Sequence, residues 1–192
     1  MADVLLFHHV QGLTPGMAAF AETLRSAGHT VHLPDLFDGH TFDSIDDGMA
    51  HVREIGGFAA VLARAESSTD GLPHELVYAG FSLGVVPAQK LAQTRPGGRG
   101  ALFYSACLPE EEFGTWPSGL RAQVHGMADD PFFTEEDGDL AAARALAASH
   151  PSVEIFLYPG DQHLFADDSL PDYDQKASAL LVSRTLAFLA SL

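Results

Sequence analysis

The chain of 192 residues has one cysteine, few basic residues and no long apolar run. A lone thiol, Cys107, has no internal partner, so a disulfide-stapled scaffold is excluded, and the count suits a reducing compartment. Lys and Arg number 10 against 26 Asp and Glu, a formal charge of −16. A surface of that sign repels phosphate backbones and anionic lipid, which argues against nucleic-acid and membrane partners. The acidic residues concentrate in expected loops, at Asp43, Asp46, Asp47, Glu110–Glu112, Asp129, Asp130 and Glu135–Asp139, where they read as solvating charge. The first apolar run, Val4–Phe7, is too short and lacks the basic start of a signal peptide. No stretch approaches the roughly 20 apolar residues of a membrane helix. The expectation is a cytoplasmic protein.

What is present is core material. Hydrophobic residues make up 46% of the chain, and 192 residues suit a single domain spanning 1–192. No repeat or low-complexity linker interrupts it. Short apolar runs alternate with amphipathic segments. Strands are expected at Val4–Phe7, Thr30–Leu33, Glu75–Ala79, Ala101–Tyr104, Ala122–His125 and Val153–Leu157. Helices are expected from Pro15 to about Ala27, over 44–66 with a break at Gly56-Gly57, and over Leu83–Thr94, Leu140–Ala148 and Tyr173–Leu189. This alternation predicts an α/β fold: a mostly parallel sheet of six to seven strands with helices on both faces. Ligands bind such sheets at the carboxyl ends of the strands. The segment Ser105–Leu120 has no helical period, and its sequence leaves open a plain surface loop or a loop over the strand ends.

The strongest local signal is Gly80-Phe81-Ser82-Leu83-Gly84, a Gly-x-Ser-x-Gly pattern with an expected strand before and helix after. Such a turn holds a serine hydroxyl above the sheet edge, with a helix N-terminus aimed at a developing oxyanion. A nucleophilic serine needs a base, and the base needs an orienting carboxylate. Of ten histidines, His163 follows the last strand at the correct end of the sheet. His125, His8 and His9 also sit at strand ends, where a plain structural role suffices. Asp129 and Asp130 after the fifth strand both qualify as the acid. The order Ser82, aspartate, His163 is that of α/β-hydrolases.

With these elements in place, the chain resembles the dienelactone hydrolase family along nearly its whole length. The resemblance rests on Pro34-Asp35-Leu36-Phe37, on Gly80–Gly84, on Asp130-Pro131-Phe132, and on Tyr158-Pro159-Gly160 through His163-Leu164-Phe165. It implies an α/β-hydrolase fold without a large lid, no metal and no organic cofactor. It favours Asp130 as the acid and maps the oxyanion hole to the backbone N–H groups of Val10 and Leu83. The sequence departs from the family's well-known members at three points. Ser82 stands in place of cysteine, His9 in place of a glutamate, and Asp167, beside Asp168, in place of a carboxylate-binding arginine.

The expected function is therefore hydrolysis of a small ester or lactone by Ser82, His163 and Asp130. An acidic pair at 167–168 predicts a neutral or cationic substrate. His9, Phe37, Phe81, Trp116, Phe132 and Phe165 are the candidate pocket residues, and each could equally be packing. The alternative is a catalytically silent relative that binds a small molecule. A flavodoxin-like domain lacks the phosphate loop it would need after the first strand. Metal binding by His29 and His32 is disfavoured because residues three apart on a strand face opposite sides. The oligomeric state, monomer or dimer, is left open.

Overall fold

The computed structural model describes residues 1–135 and 138–192. Glu136 and Asp137, two of the acidic residues expected to be solvated, lie outside that range. Among the described residues six parallel strands form one sheet: β1 (Asp3–Phe7), β2 (Thr30–His32), β3 (Leu76–Phe81), β4 (Gly100–Tyr104), β5 (Ala122–Met127) and β6 (Val153–Tyr158), in the spatial order β2-β1-β3-β4-β5-β6. The four inner strands are buried almost throughout, which is why β1, β3 and β4 read as largely continuous apolar runs, while β5 buries Gln123 and His125 as well.

The helices are α1 (Pro15–Ser26), α2 (Ile45–Glu54), α3 (Gly57–Ser67), α4 (Val85–Thr94), α5 (Pro131–Thr134), α6 (Asp139–Ser149) and α7 (Gln175–Ala190). Successive strand residues feed opposite cores, as the pleat requires. Val4, Leu6, Val77 and Ala79 pack under α1 and α7, while Leu5, Phe7, Leu76 and Tyr78 pack under α2, α3, α4 and α6. Each core is closed by the apolar stripe of its helices, such as Met17, Phe20, Ala21 and Leu24 on α1. The long helical stretch expected at 44–66 divides at Gly56 and Gly57, which take φ +111° and +73°, values that favour glycine. Three short features were not anticipated among the described residues: the single turn α5, a 3₁₀ turn at Glu110–Glu112, and a 3₁₀ turn at Ser82–Gly84 that delays α4 by two residues. That delay leaves Pro87 in the first turn of α4, where its missing N–H has no intrahelical partner to lose.

The chain leaves β1 for α1 on one face and leaves β3 for α4 on the other. β1 and β3 are neighbours, with Phe7 opposite Gly80. Their carboxyl ends therefore border a topological switch point, the place where a crevice opens in such sheets. Among the described residues no helix is long and apolar enough to cross a membrane.

Candidate active site

Ser82 sits at the switch point with φ +50°, an uncommon conformation for a non-glycine residue. The flanking glycines are needed for space. A Cβ on Gly80 would run into the Gly84 carbonyl, and one on Gly84 would lie 2.5 Å from the Phe7 carbonyl oxygen and 2.7 Å from that of His8. The elbow can therefore form only where both positions lack side chains, and it presses directly on the end of β1.

Ser82 Oγ lies 2.8 Å from His163 Nε2, and His163 Nδ1 lies 2.7 Å from Asp130 Oδ2. The three residues come from the ends of β3, β5 and β6 and are 81 and 33 residues apart in sequence. Asp130 is fully buried, and its other oxygen accepts the Phe132 N–H at 2.9 Å, the N-terminal cap of α5. Asp129 is exposed. Of the two aspartates left open by their positions, Asp130 is thus the one that meets the imidazole. His163 is itself anchored from behind, because the Ser105 hydroxyl donates to its carbonyl at 2.6 Å. Ser105 also has a left-handed backbone, φ +60°, and its N–H donates to the His125 carbonyl. Nothing in the sequence singled it out; only its place at the end of β4 hinted at a role.

Ser82 and His163 open onto a cleft of about 760 Å³, larger than the hollow of about 430 Å³ between the end of α4 and residues 117–120. Val10 and Leu83 form its floor beside Ser82. Ile45 and Met49 of α2 and Phe58 and Leu62 of α3 make one wall, and Ala106, Leu108 and Phe113 the other. The first half of the Ser105–Leu120 segment, residues 106–113, therefore lies over the strand ends, while residues 117–120 line the hollow at the end of α4. The first half is pinned in place by Gln89 of α4, whose buried amide both donates to the Leu108 carbonyl and accepts its N–H, at 2.8 and 2.9 Å. The charged lining groups are Asp46, Glu112, Asp139 and Arg53. Burial raises the Asp139 carboxyl to about 6, against the lowering effect of the Cys107 N–H that it accepts.

Five of the six candidate pocket residues do not line this cleft. Phe132 does; it is 54% exposed and its ring tilts over the His163 imidazole at 5.0 Å. Phe37 packs edge-on against His8 in the core, Phe81 stacks on Tyr104 on the α1 side of the sheet, and Phe165 packs against Tyr158. Trp116 is buried against Phe103 and donates its indole N–H to the Leu120 carbonyl at 3.0 Å. In each case the apolar ring is taken up by a core that sequence alone cannot locate.

His9 is the fifth, and it explains Asp167. His9 is fully buried and its Nε2 donates to Asp167 Oδ2 at 2.8 Å. The Asp167 carboxylate is 2% exposed and is engaged by His9, Thr14 and Ser169. Neither Asp167 nor Asp168 lines the cleft, so the substrate preference expected from that acidic pair is corrected.

The remaining strand-end histidines are structural. Burial lowers His8 to about 4 and His125 to about 3, so both stay neutral. His8 bridges the His9 carbonyl and the Leu36 N–H, and His125 meets the Tyr158 hydroxyl. Cys107 is fully buried, and burial pushes its thiol well above the usual range, as expected for an inert filler. Among the described residues no three His, Cys, Asp or Glu side chains are grouped to hold a metal ion.

Known proteins share this architecture. A dienelactone hydrolase-like promiscuous phosphotriesterase from metagenomic libraries superposes with a TM-score of 0.76 at 19% identity, covering 100% of this chain and 87% of that one. A cold-adapted esterase from an Arctic intertidal metagenomic library gives 0.65 at 17% identity, covering 97% and 82%. Esterase 2 of Thermogutta terrifontis gives 0.62 at 14% identity, covering 99% and 83%. No curated protein matches the sequence. The sheet, its helices and these neighbours define an α/β-hydrolase fold. The profile of the dienelactone hydrolase family matches residues 2–192, and the chain belongs to that family.

Proposed function

We propose that the protein is a serine hydrolase of carboxylic esters or lactones, acting through Ser82, His163 and Asp130. The observation that carries this reading is the continuous pair of hydrogen bonds from Ser82 Oγ through His163 to a buried Asp130, opening onto a cleft. Membership of a hydrolase family supports it.

In the reaction, Ser82 Oγ bonds to the substrate carbonyl carbon as its proton passes to His163 Nε2. The carbonyl π pair moves onto oxygen, and the N–H groups of Val10 and Leu83 hold that oxyanion. Collapse breaks the bond to the alcohol oxygen, which takes the proton from His163, and leaves an acyl ester on Ser82. In a lactone the alcohol stays tethered to the acyl group. Water then attacks the acyl carbon, giving a proton to His163. The second collapse releases the carboxylic acid and returns the proton to Ser82 Oγ. Asp130 accepts the Nδ1–H throughout, fixing the tautomer that leaves Nε2 free to take a proton and stabilising the imidazolium. The left-handed Ser82 backbone and the glycines around it pre-set the nucleophile against the floor of the cleft.

The cleft favours a neutral substrate with a sizeable apolar part. Its walls are mainly aliphatic and aromatic, and among the described residues three acidic groups, Asp46, Glu112 and Asp139, face one basic group, Arg53. A carboxylate-bearing ester would meet net negative charge there.

The test is acylation by a fluorophosphonate probe, read by intact mass on the wild type and on Ser82→Ala, followed by neutral and anionic p-nitrophenyl esters and a lactone panel. The expected result is labelling of the wild type alone and faster hydrolysis of the neutral ester. A folded wild type that takes no label overturns the hydrolase reading in favour of a silent binding protein. Labelling of both moves the nucleophile away from Ser82.

A further inference from the structure

We propose that Asp167 and His9 form a clamp that positions the Val10 oxyanion donor relative to His163, without touching the substrate. The proposal rests on the hydrolase reading above and assigns a role to two residues that the triad does not use.

The geometry is specific. Asp167 lies four residues after His163 on the loop that follows β6, and His9 immediately precedes Val10 on the loop that follows β1. One buried carboxylate thus bridges the loop of the base to the loop of the oxyanion donor. The tautomer of His9 is set by its neighbours. Its Nδ1 accepts the backbone N–H of Gln11 at 3.2 Å, so its proton is on Nε2, which donates to Asp167 Oδ2 at 2.8 Å. The imidazole therefore grips the chain directly after Val10 while the carboxylate holds the ring.

The carboxylate is held in turn from a third element. The Thr14 hydroxyl, which also caps α1 by accepting the Met17 N–H, donates to Oδ2. The Ser169 N–H and hydroxyl donate to Oδ1 at 2.9 and 2.6 Å. Gly16 makes room for it, since a Cβ there would collide with Oδ1. Burial alone would raise the Asp167 carboxyl, but these donors outweigh it and hold the group at about 2, so it is a carboxylate at any physiological pH. A fully engaged, nearly inaccessible carboxylate serves geometry, not substrate binding. Fixing an oxyanion donor in advance is where such rigidity repays itself, because a donor aimed before reaction costs no reorganisation during it.

Asp167→Asn tests this. To keep accepting from Ser169, the new amide must turn its NH₂ towards His9. His9 then has to accept at Nε2, and its proton moves to Nδ1, where it opposes the Gln11 N–H. The strain arrives at the peptide beside Val10. Loss of a whole oxyanion donor costs about 10²–10³ in turnover, so displacement of one is expected to lower kcat about 10- to 100-fold. KM for a neutral p-nitrophenyl ester should stay within about threefold, since the clamp is outside the cleft. Ki for a trifluoromethyl ketone, which forms the tetrahedral oxyanion on Ser82, should rise by the same factor as kcat/KM falls. Amide hydrogen exchange in the peptide covering His8–Thr14 should quicken. Should Asp167→Asn fail to fold, Ser169→Ala removes one donor from Oδ1 and is expected to move the same quantities several-fold in the same direction. Unchanged kcat and Ki in a folded variant, or a kcat loss that leaves the ketone affinity untouched, overturn the clamp. A wild type that neither hydrolyses esters nor takes the fluorophosphonate overturns the hydrolase reading itself, and with it the clamp's catalytic role, whereas an active wild type with an equally active Asp167→Asn variant removes only the clamp.

Discussion

Two histidine–aspartate pairs share the loop after β6, alike in length and burial although the carboxylate meets Nδ1 of His163 and Nε2 of His9. His163–Asp130 measures 2.7 Å and His9–Asp167 2.8 Å, and every member is less than a tenth exposed. They differ at the imidazole nitrogen that faces away from the carboxylate. In His163 that nitrogen meets the Ser82 hydroxyl at the floor of a cleft; in His9 it is occupied by the Gln11 N–H in the interior. An imidazole held by a carboxylate is a general base only if its second nitrogen can reach a transferable proton. The pairing alone thus says nothing about catalysis, and the second contact divides the two.

That comparison should break most sharply at the first pair. Ser82→Ala and His163→Ala are each expected to lower kcat by about 10⁴-fold or more, and Asp130→Asn by about 10⁴-fold, since loss of the carboxylate removes the tautomer the serine needs. Steady-state hydrolysis of a p-nitrophenyl ester measures all three. Combining Ser82→Ala with His163→Ala should add little to either alone, because the groups act as a unit. If Asp130→Asn lost no more than Asp167→Asn, the distinction drawn between the pairs would be wrong.

A smaller effect sharpens the boundary of the cleft. Phe132 covers His163 from the solvent side and is more than half exposed, whereas Phe165, two residues after His163, is fully buried. Phe132→Ala should raise KM for an apolar ester several-fold with little change in melting temperature. Phe165→Ala should instead cost about 3–5 kcal/mol of stability, read by denaturant unfolding, as for a large-to-small change in a packed core.

The sequence carried the skeleton of this site further than its walls. Alternating apolar runs place each strand to within two residues, and the strand ends then locate Ser82 and His163 and narrow the acid to Asp129 or Asp130. Ser82 and His163 are legible because their chemistry depends on local context, a glycine two positions to either side of the serine and a histidine after the last strand, whereas the cap that distinguishes Asp130 from Asp129 belongs to a turn that only the fold shows. Phe37, Phe81, Trp116 and Phe165 were not separable from true pocket residues, because an aromatic ring at a strand end serves either purpose and only the helix packed above decides. The walls came instead from Phe58, Leu62 and Phe113, on elements whose approach is a tertiary matter. Asp167 was misjudged for a related reason. Its charge is visible in the sequence, but the three side chains that hold it in the interior are two residues after it and about 150 residues before it.

Asp167 also defines a pH contrast with a second carboxylate, Asp139. Asp167 titrates below its unfolded value, so it contributes stability above about pH 4 that is lost as pH falls towards 2. Asp139 is displaced the other way, to about 6. A group that holds its proton more tightly when folded stabilises at low pH, and that contribution disappears as pH rises from about 4 through 6. Ionised Asp139 is therefore a cost at neutral pH. Asp139→Asn keeps an oxygen for the Cys107 N–H, though it gives up a charge in the first turn of α6 that the helix dipole favours. With that loss and partial solvent screening allowed for, the variant should gain about 1 kcal/mol at pH 8, or about 2–4 °C in Tm, and nothing at pH 4. Melting curves at those two values suffice. A gain that persists at pH 4 would mean that packing, and not the buried charge, separates Asp139 from Asp167.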